Sequence, residues 1–501
     1  MGGASEIRLP DLGVGITYSP AIEPLLEEYP GLVHVVEVEP QTTWIERRET
    51  PERYRVADDV LEHIARLPGR KLVHSVGVPV GGTLHPEAAQ VSLLQRTIAR
   101  LDAPWASEHL SFNSTPEFRT GFFLPARQTW AGIEAATAST RELQKALPVP
   151  LAIETGVNYL QRRADELPDG VFVAAVLQAA DCGLLLDLHN VFTNACNGRQ
   201  SVEEFLAQIP LDRVWEIHLA GGFEMEGYWL DAHSGAIPEP LFQIAKQVVP
   251  LLPNLKAIIF EIFPSFVPVI GFDTIRVEIE KLQELWQLRG MAGAHPTPIP
   301  STGQSHAAGH DGECSDSLSP EAWEQTLGRL VIGQQPDDTD VAHELTRDPG
   351  VGVVSRLISE FRASMVVSIL RLTSRLLMLT LGADVFRTIL QDFWSKTPPQ
   401  HYASSEAESF AAYLEDIDLQ VPYLAKVLEL ERAVLATLID DQPRVVTFAS
   451  NPLSLLRALA EGHLSEEAGQ PGDFEIEITP DRPLDASGVG LESGQQVFPF
   501  H

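Results

Sequence analysis

The chain has 501 residues, 44% of them apolar, which is enough for about two or three domains with sizeable cores. Its 36 Lys and Arg against 69 Asp and Glu give a net charge of −33, which disfavours binding to nucleic acid and to anionic membranes. Three cysteines are too few for a disulfide framework, and the N-terminus has no signal-peptide core, so we expect a cytoplasmic protein.

Short apolar runs of strand length alternate with amphipathic, helix-like segments through the first 264 residues. A further helix-like segment follows at 274–290. Eight strands alternating with helices predict an α/β protein with a (β/α)8 TIM barrel. The predicted strands are 12–17, 33–40, 71–77, 103–112, 150–156, 182–190, 213–221 and 256–264.

The composition changes after this region. Residues 291–317 are rich in Gly, Pro, Ser and Thr and predict a flexible linker. Residues 318–501 are mainly helical in pattern, with an acidic tail and one strand-like run, "FEIEIT", at 474–479. We therefore predict a barrel domain at 1–290 and a helical domain at 318–501. Because linkers of this composition usually separate independent domains, we expect few contacts between the two.

The apolar stretch 365–382 is the strongest candidate for a membrane span. Arg371 and Arg375 interrupt it, so we expect a helix packed within the protein instead.

Polar residues follow the apolar runs at the predicted strand ends. Chemistry in such barrels lies at the carboxyl ends of the strands, so these side chains should share one rim. Several carboxylates crowd together only when cations offset their repulsion. Imidazole and carboxylate without a nearby Cys pair suit iron, manganese or zinc, and the number of ligands suggests more than one ion. The residues are His74, Glu108, His109, Glu154, Asp187, Asn190, His218, Asp231, His233 and Glu261. His34, Glu37, His189 and Asn194 receive no functional assignment.

Seven segments resemble, in order, the motifs of the multinuclear non-heme iron-dependent oxidative enzymes, the family typified by the methanobactin-biosynthesis oxidase. The resemblance covers roughly residues 10–290. The segments are "HSVGVPVGG" (74–82), "SEHLSF" (107–112), "AIET" (152–155), "LLLDLHNVFTNACN" (184–197), "EIHLAGG" (216–222), "LDAHS" (230–234) and "FEIF" (260–263).

The resemblance implies a xylose-isomerase-like barrel with about two or three irons, O2 as co-substrate and Glu154 bridging two irons. It implies oxidation of a residue, often Cys, in a ribosomally made precursor peptide. Residues 382–435 resemble the helical partner proteins encoded beside such oxidases, which help to recruit the peptide, so we expect a partner fused in cis. The implied metal ligands are His74, His109, Glu154, Asp187, Asn190, His218, Asp231, His233 and Glu261.

The chain departs from the family pattern at several positions, none of them an implied ligand. These departures put the substrate and the surroundings of the ligands in doubt rather than the metal site. They are Thr17, Pro20, Gln41, Thr42, Thr155 and Phe263, of which the last stands where Asp is usual.

Two other functions remain open on the sequence alone. A multinuclear metal-dependent hydrolase or sugar isomerase would use the same barrel and the same ligand types. A non-catalytic peptide-binding scaffold would need the helical half but not a complete set of ligands. The order of the motifs favours the oxidase.

Overall fold

The computed structural model describes residues 9–47, 53–291, 318–417, 419–464 and 471–480. Within these ranges, eight parallel strands close into a barrel in which each strand pairs with the next and the last pairs with the first. The predicted (β/α)8 barrel is therefore confirmed. The strands are β1 Gly13–Thr17, β2 Val35–Val38, β3 Arg70–Ser75, β4 Ala106–His109, β5 Leu151–Glu154, β6 Gly183–Asp187, β7 Val214–Ala220 and β8 Ala257–Glu261.

Helices cover the outer face of the barrel and side chains from its own strands fill the interior, so both faces of each strand are buried and the strands read as continuous apolar runs. Leu184, Leu185 and Leu186 of β6, for example, are all fully buried. The α-helices of this half are α1 Glu23–Glu28, α2 Asp58–Arg66, α3 Ala88–Leu101, α4 Trp130–Ala146, α5 Asp169–Ala180, α6 Leu188–Cys196, α7 Val202–Gln208, α8 Glu239–Val248 and α9 Val267–Gln287. Short 3-10 helices lie at Pro20–Ile22, Pro40–Thr43, Leu211–Arg213 and Val249–Leu251.

Three two-stranded hairpins follow barrel strands at their carboxyl ends and so stand on the rim where a site would lie. One follows β2, one follows β4 and one follows β7. They pair Trp44–Glu46 with Tyr54–Val56, Ser111–Ser114 with Arg119–Pro125, and Phe223–Met225 with Tyr228–Leu230. We call the second of these, residues 111–125, the rim hairpin.

The C-terminal half is mainly helical, as predicted, and its later helices enclose a hydrophobic core of their own. The strand predicted at 474–479 is observed as Pro471–Ile478, paired antiparallel with Arg444–Ser450. The helices are α10 Pro320–Val331, α11 Asp340–Arg347, α12 Pro349–Ile369, α13 Arg371–Leu381, α14 Ala383–Lys396, α15 Ala403–Asp416, α16 Leu424–Asp440 and α17 Leu453–Glu461.

Among the described residues, no single helix has the length and apolar character needed to cross a membrane. In the part of the chain that the structure describes, one pair of consecutive helices, α12 and α13, meets these criteria when taken together, and the two are bent by 108° relative to each other. The predicted linker, apart from residue 291, and the acidic tail beyond residue 480 lie outside the described residues, so the three-part division of the chain stays a prediction.

The expectation of few contacts between the two halves is wrong. The side chains of Phe112, Leu124 and Tyr159 from the barrel half share one apolar cluster with Trp323 and Leu327 of α10. The Trp323 indole also donates a hydrogen bond to the backbone oxygen of Pro125, at 3.1 Å. Linker composition describes only the linker, and it carries no information about the apolar surfaces on either side of it.

Candidate metal centre

The strand register brings the polar strand ends together. Parallel strands present their carboxyl ends on one rim, and in a closed barrel the side chains that point inward converge. His109 at the end of β4 lies opposite Glu154 of β5, and Asp187 at the end of β6 lies opposite His218 of β7. Each of these residues follows an apolar run that fixes its strand in the barrel.

Four groups of three side chains place their ligand atoms within 4.8 Å of one another. The groups share members, so they form one connected cluster rather than four separate sites. Seven of the nine implied ligands belong to it. The groups are His74, His109 and Glu154; Glu154, Asp187 and His218; Asp187, His233 and Glu261; and Glu37, His218 and Glu261.

Carboxylate oxygens in the cluster lie between imidazole nitrogens. Glu154 Oε2 is 3.1 Å from His74 Nε2 and 3.0 Å from His109 Nε2. Glu261 Oε1 is 3.1 Å from His218 Nδ1, and Glu261 Oε2 is 3.5 Å from His233 Nε2. These nitrogens and oxygens face common points, which is the arrangement that a coordinated cation needs.

The other two implied ligands contact the cluster. Asp231 Oδ1 lies 2.9 Å from His233 Nε2. The Asn190 amide nitrogen donates to Glu154 Oε1 at 3.3 Å and to the Thr155 backbone oxygen at 3.0 Å, which leaves its Oδ1 for another partner. All nine implied ligands are thus brought to one place.

Many polar atoms of this cluster are buried without a hydrogen-bond partner among the described residues. Such atoms are rare in folded proteins because each one costs desolvation energy. A bound cation would satisfy them, so the donor set fits a metal centre of nitrogen and oxygen ligands. The atoms are Glu37 Oε1 and Oε2, Glu154 Oε2, Asp187 Oδ2, Asn190 Oδ1, His218 Nδ1 and Nε2, Asp231 Oδ1, His233 Nε2 and Glu261 Oε2.

The pKa shifts within the cluster also indicate that its buried carboxylates need nearby positive charge. Burial raises the pKa of Asp187 well above its usual value, and repulsion from Glu261, Glu154 and Asp231 adds to the rise. For His233, burial alone would lower the pKa, but attraction to Asp231 and Glu261 outweighs it and raises the pKa to about 10. Without cations, protons on the imidazoles offset the carboxylate charge, and bound cations would replace those protons.

Some of the polar residues at the end of β6 belong to the cluster, and others only stabilise the local backbone. Asp187 is the N-cap of α6, and its Oδ1 accepts a hydrogen bond from the Asn190 backbone N–H at 2.9 Å. Asn194 is structural, since its side chain bonds the backbone of Asn158 and Gly156. His189 is fully buried, with Nε2 3.5 Å from Asp231 Oδ1.

Sequence reasoning missed Glu37, a fully buried member of β2. Its Oε2 lies 2.9 Å from His218 Nε2, on the opposite side of the ring from Glu261. Below it lies Glu216, which accepts a hydrogen bond from the Trp105 indole at 2.9 Å. One feature of the sequence could have identified Glu37 as a buried member of the site. It is an acidic residue inside the otherwise apolar run "VVEV" of a barrel strand.

The cluster is accessible from one side. The side chains of His74, Asp187 and His218 are at most 3% exposed, whereas those of His109, His233 and Asp231 are 12%, 15% and 23% exposed. Two aromatic rings border this opening.

Phe123 of the rim hairpin stacks on His109 with ring centroids 3.9 Å apart. Phe263, which follows β8, packs against His233 with ring centroids 4.6 Å apart. Each of these two partly exposed histidines is therefore covered on one ring face by a phenylalanine.

The chain shows distant likeness to several solved structures. A xylose isomerase domain protein from Planctomyces limnophilus is 13% identical with a TM-score of 0.37, and the match covers 56% of this chain and all of that one. A D-psicose 3-epimerase is 14% identical with a TM-score of 0.34, and the match covers 55% of this chain and 96% of that one.

Several curated relatives are named UPF0276 protein. One from Streptomyces avermitilis is 28% identical over 248 residues, covering 46% of this chain and 47% of the relative. One from Chromobacterium violaceum is 31% identical over 177 residues, covering 35% of this chain and 64% of the relative. The chain thus spans about half to two thirds of the length of these relatives.

The model of a protein family described as RiPP precursor modification enzyme MbnB/TglH/ChrH matches residues 13–284, which is more than half of the chain and includes the whole barrel. The chain belongs to this family of RiPP precursor modification enzymes.

Proposed function

We propose that the protein is a multinuclear iron, O2-dependent oxidase that modifies a residue, Cys in our proposal, in a ribosomally synthesised precursor peptide. The observation that carries this proposal is the connected cluster of histidines and carboxylates on the barrel rim, in a chain whose family modifies RiPP precursors. The cytoplasmic location predicted from the sequence is part of the proposal.

The proposed ligands are the nine implied by the sequence resemblance. Their donor atoms outnumber the positions of one ion, so we propose about two or three irons that share carboxylates. Glu154 is the proposed bridge, because its Oε2 faces the imidazoles of both His74 and His109. Glu37 Oε2 lies 2.9 Å from His218 Nε2, on the opposite side of the ring from Glu261, and Glu37 is not part of the proposed ligand set.

Iron is proposed over zinc because O2 must be activated by a metal that changes oxidation state, which zinc does not do. The chain's own residues hold and shield the metals. Phe123 and Phe263 cover the outer faces of His109 and His233 and limit the access of water to the cluster. The opening between them is the proposed entry for the peptide side chain.

The C-terminal helices are the proposed peptide-recruiting partner, present here in the same chain. Linking two binding units raises the effective concentration of one for the other to about millimolar for a short flexible connection. We propose that the helical half binds the precursor peptide and presents its target residue to the opening on the rim.

The experiment uses protein purified without O2 and, as candidate substrates, Cys-containing short peptides translated from open reading frames beside this gene. The proposal predicts O2 consumption and a mass change of the peptide that both require iron, and neither with a peptide in which Cys is replaced by Ser. Zinc or manganese in place of iron, with no O2 uptake, would contradict the oxidase and direct attention to hydrolysis or isomerisation. Modification of the Ser peptide would exclude Cys as the target.

A further inference from the structure

The C-terminal helices reach the candidate metal centre through two rim segments that meet at His109. One is the loop 76–83 that follows β3, and the other is the rim hairpin. Both segments contact His109 or its neighbour Glu108 on one side and α10 or α12 on the other.

The loop 76–83 is held by a carboxylate from the helical half. Glu324 of α10 accepts hydrogen bonds from the Thr83 backbone N–H at 2.8 Å and from the Thr83 hydroxyl at 2.6 Å. Glu324 is only 3% exposed, and burial raises its pKa to about 7. Such a side chain is costly to bury, and its two hydrogen bonds go to this loop.

The same loop contacts the residues around His109. The Val78 N–H donates to Glu108 Oε2 at 3.0 Å, and the Val80 N–H donates to the His109 backbone oxygen at 2.9 Å. Glu108 Oε1 in turn accepts a hydrogen bond from the His109 N–H at 2.7 Å. Hydrogen bonds to Glu324 at one end of loop 76–83, and to Glu108 and His109 further along it, therefore connect Glu324 to His109 through the loop backbone.

Glycine makes this close packing possible. A Cβ on Gly81 would lie 2.6 Å from the Ser111 backbone nitrogen, and one on Gly82 would lie 2.7 Å from the Phe112 Cβ. The "VGG" at 80–82 is thus explained by the approach of the loop to the rim hairpin, and a Cβ on Gly82 would also lie 3.4 Å from Glu324 Oε1.

The rim hairpin provides the second route. Successive side chains of a strand point to opposite faces. Accordingly, Phe123 stacks on His109, while its neighbour Phe122 faces Phe361 of α12, with ring centroids 6.2 Å apart. Trp323 of α10 closes the end of the hairpin through its hydrogen bond to Pro125.

We propose that the C-terminal helices position His109, with Glu324 as the positioning residue that acts through loop 76–83 and the rim hairpin as the second support. The helical half would then complete the centre as well as recruit the peptide. The importance of His109 as a ligand rests on the proposed function, whereas the chain of contacts from Glu324 to His109 does not.

The test measures amide hydrogen exchange in the full-length protein, resolved by fragmentation at Val78, Val80 and His109, together with iron per chain. The variants are Glu324→Ala, Glu324→Gln and, as a matched control, Glu321→Gln. Glu321 lies on the same helix, and its side chain is exposed. Glu324→Gln retains one acceptor oxygen for Thr83 and protects the test if the Ala variant fails to fold.

We expect Glu324→Ala to speed exchange at the three amides by about tenfold, since their hydrogen bonds lose their support. Glu324→Gln should show a smaller increase, Glu321→Gln none, and iron should fall in the same order.

Exchange equal to that of the control, or an equal increase throughout the barrel, would overturn the proposal. Faster loop exchange with wild-type exchange at His109 and unchanged iron would also overturn it. Wild-type protein without iron would contradict the proposed function, while the exchange comparison would still decide this inference.

Discussion

Asp187 combines two roles at the end of β6. Its Oδ1 caps α6, and its Oδ2 is buried without a hydrogen-bond partner among the described residues. Burial and the surrounding carboxylates raise its pKa well above the usual value. The helix cap needs an oxygen acceptor, which can be charged or neutral, whereas the metal site favours a charged carboxylate. The two roles can therefore be separated by substitution.

We expect Asp187→Asn to keep the helix cap but lose iron, because the amide still accepts from the Asn190 N–H and supplies no charge. Asp187→Ala should also lose iron and, in the metal-free state, unfold about 1 kcal/mol more easily than Asp187→Asn. Metal analysis and denaturant unfolding of chelator-treated protein provide the measurements. Unchanged iron in Asp187→Asn would remove this residue from the ligand set.

Glu37 is expected to orient His218, because its carboxylate lies 2.9 Å from Nε2 while Nδ1 faces Glu261. Glu37→Gln removes the charge with little change in shape and should weaken iron binding by about 10–100-fold, as loss of a partner behind a metal-binding histidine does. Competition with a chelator measures the affinity.

The matched control for Glu37→Gln is Glu278→Gln. Glu278 is a buried carboxylate on α9 that accepts hydrogen bonds from the Ile237 N–H and the Lys281 ammonium. Equal losses of iron affinity in both variants would show a general effect of removing a buried charge rather than an effect on His218.

That the nine implied ligands lie together could be predicted from sequence, because each follows an apolar strand pattern or lies in a specific motif. Glu37 could not, because a single strand does not reveal which residue of a distant strand it meets across the barrel. His218 and Glu37 belong to β7 and β2, which are not neighbours in the sheet, and only barrel closure brings them together.

At the level of elements, α13 depends on a cap from another helix. Its N-terminus has no local side-chain cap, and Glu431 of α16 accepts hydrogen bonds from the Leu372 and Thr373 N–H groups at 2.6 and 2.8 Å. Burial raises the pKa of Glu431 to about 7 despite these hydrogen bonds. This carboxyl therefore links the stability of the helical half to pH.

Burial places the folded-state pKa of Glu431 above the ordinary value of 4.5 for a glutamate. Its protonation therefore contributes stability that is fully present below about pH 4.5 and is lost as the pH rises through about 7. The free energy of unfolding of wild type minus that of Glu431→Gln should accordingly fall between pH 5.5 and pH 8. Urea unfolding of both proteins at each pH tests this.

The control for this pH dependence is Glu429→Gln, in which the replaced side chain is half-exposed and pairs with Lys426. It should show no comparable change between the two pH values. A difference between wild type and Glu431→Gln that grows with pH would contradict the assigned direction of the Glu431 pKa.

Element boundaries were less predictable than element types. The predicted sixth strand ran to residue 190, but β6 ends at Asp187 because that side chain caps the helix that follows. The predicted fourth strand ran to 112, but β4 ends at His109, and the rim hairpin begins at Ser111. In both cases the apolar pattern continues past the point where hydrogen bonding changes.

At the scale of the whole molecule, the two halves interlock at the rim of the barrel. Trp323 is 1% exposed, its ring lies beneath the guanidinium groups of Arg127 and Arg163, and it packs in the shared apolar cluster. Thus the helical half covers barrel surface that would otherwise be exposed and apolar. The sequence predicted the fold class of each half but not the contact between them, because the complementarity of two surfaces depends on tertiary packing.

We expect cleavage at a protease site inserted within residues 292–317 to leave both fragments associated, because the shared cluster and its hydrogen bonds do not involve those residues. Size-exclusion chromatography under native conditions should show one peak containing both fragments. Separate elution of the barrel and helical fragments, each folded, would show that the contacts described here do not hold the halves together.

The central claim is that the rim cluster is a multinuclear iron centre. Elemental analysis of protein purified without O2 from iron-supplied cells tests it most directly, with His218→Ala as the companion variant. The account predicts about two or three irons per chain in the wild type and at least one fewer in the variant, because shared ligands make the ions interdependent. Less than one iron per wild-type chain, or the same iron content in both proteins, would contradict it.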